Sequence, residues 1–538
     1  MRRLLAVALL ATLVAPPASA QPAPAPAVEV RLRGVSDLLD RLEYLAKLVD
    51  QEDAGNQLAQ TVQSFADAKK GIEGIDPARP IGLYATVAPN PLESQVVVLL
   101  PIADEKAFLE LLTGKLSLDP KKQDGGVYQL QVPNVPLPLF FAFADKTCYV
   151  TVGSAAALEA KTRIAPKAFF AADDGGVLSV NVRLDRLPAD IKKTALGQIE
   201  LKLADAKDKK EPNETPAQTA LKGWLTDRAS EAVAAVFADG REFSVRLTAD
   251  PKGDDLALEV GLSANPGSAL AKTFAGLGTS SRTTTTAVPT AGSLATFGIT
   301  GAFGPKSKAS LGPVVDALLA EAVANAKEGE RPMVKMVLAA LAPTLKSGLI
   351  DLNLAVTGAG KPDRFRVLAA AAVADGAGIE KTAKQIAPFV PEEAVKFAFD
   401  QGSAGGLTLH KLTTSDPKFN EAFDTDSVWL ATGDSKLVVG FEPAAVGVKA
   451  AATADPKPAP LMAGTLSVAR LMEAAKDGLP AETGKKLVTQ VFGDAGPAGK
   501  DTVSMRLEGG ESLKLRLIAK GKALQLAVLT DKERKKKD

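Results

Sequence analysis

Val96-Val97-Val98-Leu99-Leu100-Pro101-Ile102-Ala103-Asp104 decides how this chain folds, because it returns in altered form as Leu368-Ala369-Ala370-Ala371-Ala372-Val373-Ala374-Asp375. Each copy is an apolar run of strand length that closes on an aspartate. Each leads into helical spacing, Glu105 to Leu112 in one place and Gly378 to Ile386 in the other. Further matches follow in the same order. Gly125-Gly126-Val127 stands opposite Gly405-Gly406-Leu407, and Leu178-Ser179-Val180 opposite Leu466-Ser467-Val468. Asp145-Lys146 precedes a strand ending at Gly153, and Asp434-Ser435 precedes one containing Gly440. Each match alone is weak, and the shared order is what points to a duplication.

Working outward, an amphipathic helix opens each half. Val35 to Asp50 has apolar residues at 35, 38, 39, 42, 45, 48 and 49, with Ser36 as its expected N-cap. Leu311 to Ala326 repeats that spacing. A second helix follows each, through Leu58, Val62 and Phe65 and over Met333 to Leu345. In the first half, strands are expected at Ile81–Val87, Gln95–Ile102, Gly126–Val132, Phe140–Phe143, Thr147–Val152 and Gly175–Leu184. A helical region, Pro188 to Val236, is broken at Lys207–Pro216. A hairpin closes the half (Phe243–Thr248, Leu256–Leu262), and a helix runs from Pro266 to near Gly276. In the second half the strands are Leu349–Val356, Phe365–Val373, Gly406–Leu412, Ser427–Ala431, Lys436–Phe441 and Met462–Val468. Helices Ala469–Lys476 and Thr483–Phe492 follow, then Val503–Leu507, Ser512–Ile518 and the apolar stretch Leu524–Leu529.

The expected fold class is α+β: two tandem, similar units, each with an antiparallel-rich sheet covered by amphipathic helices. The expected organisation is a signal peptide over 1–20, an Ala/Pro-rich tether over 21–27, a first unit over 28–277, a polar linker over 278–286 (GTSSRTTTT), a second unit over 287–530 and a charged tail over 531–538. On this division the halves should separate near Gly278 to Thr286.

Bulk properties bound the function. The 538 residues hold 64 basic and 63 acidic side chains, so there is no basic excess to suggest a nucleic-acid partner. Aromatic content is 5%, which argues against stacking platforms for bases or sugars. Arg2-Arg3, the apolar run Leu4 to Val14 and Ala18-Ser19-Ala20 form an export signal with cleavage expected after Ala20. The mature chain is then expected to be soluble, periplasmic or extracellular, with no transmembrane segment. With one cysteine, Cys148, no internal disulfide is possible.

Three stretches also carry a family resemblance. Pro101-Ile102-Ala103-Asp104, Gly125-Gly126-Val127-Tyr128 and Tyr149-Val150-Thr151-Val152-Gly153-Ser154 resemble a class of bacterial exported proteins of unknown function. The resemblance covers about half the chain, its second half departs from the pattern at Thr408 and Phe441, and it implies a fold and no activity.

No constellation of residues specifies catalysis. His410 is the only histidine, which excludes paired-histidine zinc motifs, and in the repeat it falls opposite Leu130. Cys148 falls opposite Leu437 and is expected to be a small buried hydrophobe. Ser415-Asp416-Pro417-Lys418 fits Ser-x-x-Lys, but Pro417 is expected to disturb the helix start that motif needs. Gly358-Ala359-Gly360-Lys361 and Gly496-Pro497-Ala498-Gly499-Lys500 resemble phosphate loops. They place Pro362 and Asp501 where a Ser or Thr must follow, so they are expected to be turns. Asp104 with Asp375, and Asp145 with Asp434, are paired by the repeat. They could form a calcium or acid/base site, or simply cap helices and fill turns. Asn213-Glu214-Thr215 is a glycosylation triplet in a solvated loop. No catalytic, cofactor-binding or metal-binding residue is assigned. The expectation is a non-catalytic binding or scaffolding protein of the cell envelope. The alternatives are a carrier of an apolar, lipid-like ligand held between sheet and helices, and a carboxylate-dependent hydrolase.

Overall fold

The structure, a computed structural model, describes residues 25–49, 74–90, 93–133, 135–171, 176–280, 282–283, 292–358, 364–474 and 480–536. The expected leader, most of the tether, the helix through Leu58–Phe65, the turn after Gly358 and most of 281–291 lie outside these residues. The fold is α+β, with a sheet that is antiparallel throughout. Two compact units are present. One comprises the residues up to Gly197 with Phe237–Pro266, and the other Gln198–Val236 with Gly267–Asp538.

In the first unit the chain runs β1 (Val28–Leu32), α1 (Val35–Val49), β2 (Ile81–Thr86), β3 (Gln95–Pro101), α2 (Glu105–Glu110), β4 (Val127–Leu130), β5 (Leu139–Ala144), β6 (Thr147–Val152), α3 (Pro166–Phe170) and β7 (Leu178–Val182). The chain then runs through helices α4 (Ala189–Asp208) and α5 (Pro216–Asp239), of which Gln198–Val236 belongs to the second unit, and β8 (Gly240–Asp250) and β9 (Asp255–Ala264) close the first. The strands lie in the order β4–β5–β6–β3–β2–β1–β7–β8–β9.

The second unit contains α6 (Ala269–Ser280), β10 (Ser293–Ala302), α7 (Pro305–Asn325), α8 (Arg331–Ser347), β11 (Leu349–Gly358), β12 (Phe365–Ala372), α9 (Gly376–Ile386), β13 (Leu407–Thr414), α10 (Pro417–Phe423), β14 (Ser427–Gly433) and β15 (Lys436–Phe441). After these come α11 (Val446–Thr453), β16 (Met462–Ser467), α12 (Val468–Ala474), α13 (Ala481–Phe492), β17 (Thr502–Glu508), β18 (Ser512–Lys520) and α14 (Gly521–Lys535). Its strand order is β13–β14–β15–β12–β11–β10–β16–β17–β18, the order of the first unit with every number raised by nine.

Packing follows from strand alternation. In the first unit one face buries Tyr84, Val97, Leu99 and Tyr149 against α3 and the turn Ala155–Leu158. On the other face α2 seals the β4–β6 end over Phe108, Leu130, Phe141 and Cys148. In the second unit α11 covers Ala370, Leu409, Ala431 and Val438, while α12, α13 and α14 form their own cluster around Leu487, Val491 and Leu526.

Several local expectations change. Strands β1 and β10, each near the middle of its run of strands, form where the sequence reading expects no element. Ala27, placed in the tether, is buried and bonded on both sides: its N–H donates to the Ala85 carbonyl, and its carbonyl accepts from Arg183 N–H. Ser36 does not cap α1, which begins one residue earlier, and its hydroxyl donates to the Pro77 carbonyl. Gly278–Ser280 are the last residues of α6. Leu524–Leu529 and the basic stretch after it form α14, which buries Ala523, Leu526 and Leu529. The chain passes between units within α4, within α5 and after Pro266.

Candidate functional site

Among the described residues, one set of histidine and carboxylate side chains comes within metal-ligating reach: Glu380, Asp400 and His410, with ligand atoms within 4.8 Å of one another. His410 is on β13 and is buried. Its Nδ1 accepts the backbone N–H of Asp400 at 3.2 Å, and its Nε2 lies 3.0 Å from Thr432 Oγ1. Thr432 in turn donates to Glu380 Oε2 at 2.7 Å. Lys384, one turn along α9 from Glu380, places its ammonium 2.8 Å from Glu380 Oε1 and 3.1 Å from each Asp400 oxygen. The Phe399 ring meets the imidazole edge-on at 5.6 Å.

Two features define what this cluster can do. The ring nitrogens face the carboxylates separately, Nε2 toward Glu380 at 3.5 Å and Nδ1 toward Asp400 at 3.9 Å. A cation shared by the imidazole and both carboxylates would compete there with the bonds from Asp400 N–H, Thr432 and Lys384. The protein also supplies its own cation in Lys384. Burial opposes the Glu380 charge, but the hydrogen bonds from Lys384 and Thr432 outweigh it and hold that carboxyl below its usual range. Hydrogen bonds to Glu380 first and then to Asp400 raise Lys384 above the usual range for an amine.

The other sequence candidates are apart from this cluster. Cys148 is fully buried, and burial pushes its thiol well above the usual range. Asp104 caps α2, accepting from Lys106 N and Ala107 N, and Asp375 caps α9, accepting from Gly378 N. Asp145 and Lys146, both at positive φ, form the two-residue turn between β5 and β6, and Asp434-Ser435 form its equivalent. Pro417 does not disturb a helix start: it is the first residue of α10, with Asp416 as cap, and the Ser415 hydroxyl donates to the Glu393 carbonyl. Gly496–Lys500 is a turn with Gly496, Ala498 and Gly499 at positive φ. Asn213, also at positive φ, sits between α4 and α5. A cleft of about 360 Å³ is lined by Arg33, Ser36, Asp37, Asp40, Ala78 and Pro80, and Arg33 and Arg41 both pair with Asp37 there.

The feature missed by sequence reasoning is a sheet face. Registers place Leu83, Val30, Val180, Val245 and Val260 in one row across β2–β1–β7–β8–β9. The rows on either side are Ile81–Leu32–Leu178–Leu247–Leu258 and Ala85–Val28–Val182–Phe243–Leu262. All fifteen side chains are apolar and none is fully buried; Phe243 and Leu247 are 37% and 41% exposed. The second unit repeats this across β11–β10–β16–β17–β18, with Leu354–Phe297–Gly464–Met505–Leu517 as its central row. Leu352–Ile299–Met462–Leu507–Leu515 and Val356–Ala295–Leu466–Val503–Ala519 flank it, and again no residue is fully buried. Leu352 and Leu517 are 38% and 37% exposed. An uncharged sheet face this wide is ordinarily covered.

Among the described residues no helix is long and apolar enough to cross a membrane. Comparison with family models, with curated proteins and with solved structures gives no match.

Proposed function

We propose that this chain is a non-catalytic binding protein of the cell envelope, exported by the leader over 1–20, and that its ligand is apolar and lipid-like. The observation that carries the reading is the repeated apolar face: three rows on five strands in each unit, without a charged or hydrogen-bonding side chain. Five strands at a spacing of ~4.8 Å give a strip about 19 Å wide between its outer strands. Such a strip accommodates extended acyl chains, and aliphatic rows offer them contact without requiring a polar partner. The Glu380–Lys384–Asp400–His410 set favours binding over catalysis, because its hydrogen bonds are directed at one another. The same strand order in both units supports descent by duplication, with each unit retaining one binding face.

Titration with a fluorescent long-chain fatty acid tests the reading. Saturable binding should be weakened about tenfold or more when Val180 and Val245 are both replaced by Asp, with circular dichroism unchanged. Equal binding by the folded variant would remove the first unit's face from the account, and the matching pair Gly464→Asp and Met505→Asp would test the second.

A further inference from the structure

The polar cleft of the first unit adjoins its apolar face. The row nearest α1 is Ile81–Leu32–Leu178–Leu247–Leu258, and the cleft begins where β2 and β1 end on that side. Pro80 is bonded to Ile81, and Gly34 stands two residues beyond Leu32. Arg33 ties the end of β1 to the segment ahead of β7. Its N–H donates to the Val177 carbonyl at 3.2 Å, and its Nε to the Gly176 carbonyl at 3.1 Å. Two residues beyond Leu32 and two before Leu178, the chain has glycines, Gly34 and Gly176, so neither strand extends the row with a further side chain. A Cβ at Gly34 would lie 2.6 Å from the Pro77 carbonyl oxygen, so glycine there lets residues 77–78 form the cleft wall.

The cleft carries charge of both signs. Arg33 Nη1 lies 3.0 Å and Arg41 Nη2 3.5 Å from the same oxygen of Asp37, Oδ2. Both guanidinium groups thus converge on one oxygen, which leaves Asp37 Oδ1 and Arg33 Nη2 able to bond a further group. Ser36 donates its hydroxyl hydrogen to the Pro77 carbonyl and keeps its oxygen as an acceptor. Asp40 follows Ser36 one turn along α1 and is exposed. Half-exposed ion pairs hold one another weakly, so an incoming group can share them. None of the lining side chains is aromatic.

We propose that this cleft seats the head of the bound lipid, and that the head is zwitterionic, a phosphate joined to a primary ammonium. The assignment rests on the apolar-face reading, since the rows hold the chains and the cleft holds the head. The cleft, at about 360 Å³, has the volume of a small-molecule site. Arg33 Nη2 offers N–H donors to the phosphate oxygens. Asp37 Oδ1, the Asp40 carboxylate and Ser36 Oγ offer acceptors to the three N–H donors of the ammonium. A purely anionic head would face the carboxylates of Asp37 and Asp40 with no positive group to meet them. A quaternary ammonium has no N–H to donate and finds no aromatic ring in the lining.

Displacement of the fluorescent fatty acid from the full protein tests this. The competitors are monomeric dihexanoyl lipids with the same chains: phosphatidylethanolamine, phosphatidylcholine, phosphatidylglycerol and diacylglycerol. Phosphatidylethanolamine should displace at a concentration about tenfold below each of the others. Asp40→Asn and Arg33→Gln should each shrink that preference to about threefold or less, with circular dichroism unchanged. Because Asp40 is exposed, its variant keeps the test open if Arg33→Gln fails to fold. Equal displacement by phosphatidylethanolamine and diacylglycerol, or a preference unchanged in either folded variant, would overturn the head site and leave the apolar-face reading standing. Phosphatidylcholine or phosphatidylglycerol matching phosphatidylethanolamine would overturn the zwitterionic, primary-ammonium head. Displacement by none of the four would overturn the apolar-face reading, and the head site with it.

Discussion

Cys148 shows how a residue's environment decides its chemistry. It sits on β6 among Ile102, Phe108 and Phe141, and its thiolate would be stranded in an apolar core. Native protein should react with thiol reagents no faster than it unfolds, and Cys148→Ala should cost about 1 kcal/mol in chemical denaturation without affecting ligand binding. Glu380 has the opposite environment. Its folded pKa is depressed, so its contribution to stability is present above the unfolded value near ~4.3 and is lost as pH falls through the folded value. The urea midpoint of the second unit should therefore fall less on acidification below about pH 4.5 in Glu380→Gln than in the parent chain. Equal acid sensitivity would mean that the Lys384 and Thr432 bonds do not persist in solution. The Cys148 environment was legible from sequence, since its repeat partner is Leu437 and its neighbours are apolar. The His410 network was not, because its partners come from α9, β14 and a loop, and no sequence spacing records that meeting.

At the scale of elements, the two faces of the sheet should respond differently. Leu99 on β3 is fully buried, so Leu99→Ala should cost about 3 kcal/mol. Leu247→Lys on β8 and Leu517→Lys on β18 fall on the half-exposed apolar face. They should cost under about 1 kcal/mol while weakening ligand binding, measured by the same denaturation and fatty-acid titrations. A large stability loss at both sites would mark that face as ordinary core. Most strands were visible as apolar runs between turn residues, and both aspartate caps were visible from their place ahead of helical spacing. The central strands β1 and β10 were not. In β1, Glu29 and Arg31 interrupt the apolar pattern, yet Arg31 is buried, its guanidinium paired with Glu29 and its Nε donating to the Phe169 carbonyl. In β10, Gly298, Gly301 and the Thr and Ala residues weaken the strand signal. With the central strands unassigned, the rows that cross them could not be assembled from sequence.

For the whole molecule, strand order says more than sequence similarity. The pairwise matches between halves are short, but both sheets follow the order 4–5–6–3–2–1–7–8–9 when each is numbered from its own first strand. The compact units nevertheless do not coincide with the halves of the chain, because Gln198–Val236 belongs with the second unit. Within that unit Trp224 Nε1 donates to Ser310 Oγ at 3.0 Å, and Lys306 pairs with Glu231 at 2.7 Å. A protease cut within 281–291 should therefore leave two fragments that co-elute, since the second unit draws on both sides of the cut. Fragments that separate under native conditions would show that Gln198–Val236 is not held there.

A lipid-like ligand carried on the repeated apolar faces should stay with the protein through purification. Native mass spectrometry of the full protein, purified from its own exporting host without detergent, tests it most directly, with organic extraction and identification of whatever is released. The expected result is a mature chain beginning at Gln21 that carries apolar small molecules, with occupancy reduced in the Val180→Asp, Val245→Asp variant. A ligand-free mature chain, or one whose bound molecules are polar and unaffected by that variant, would contradict it.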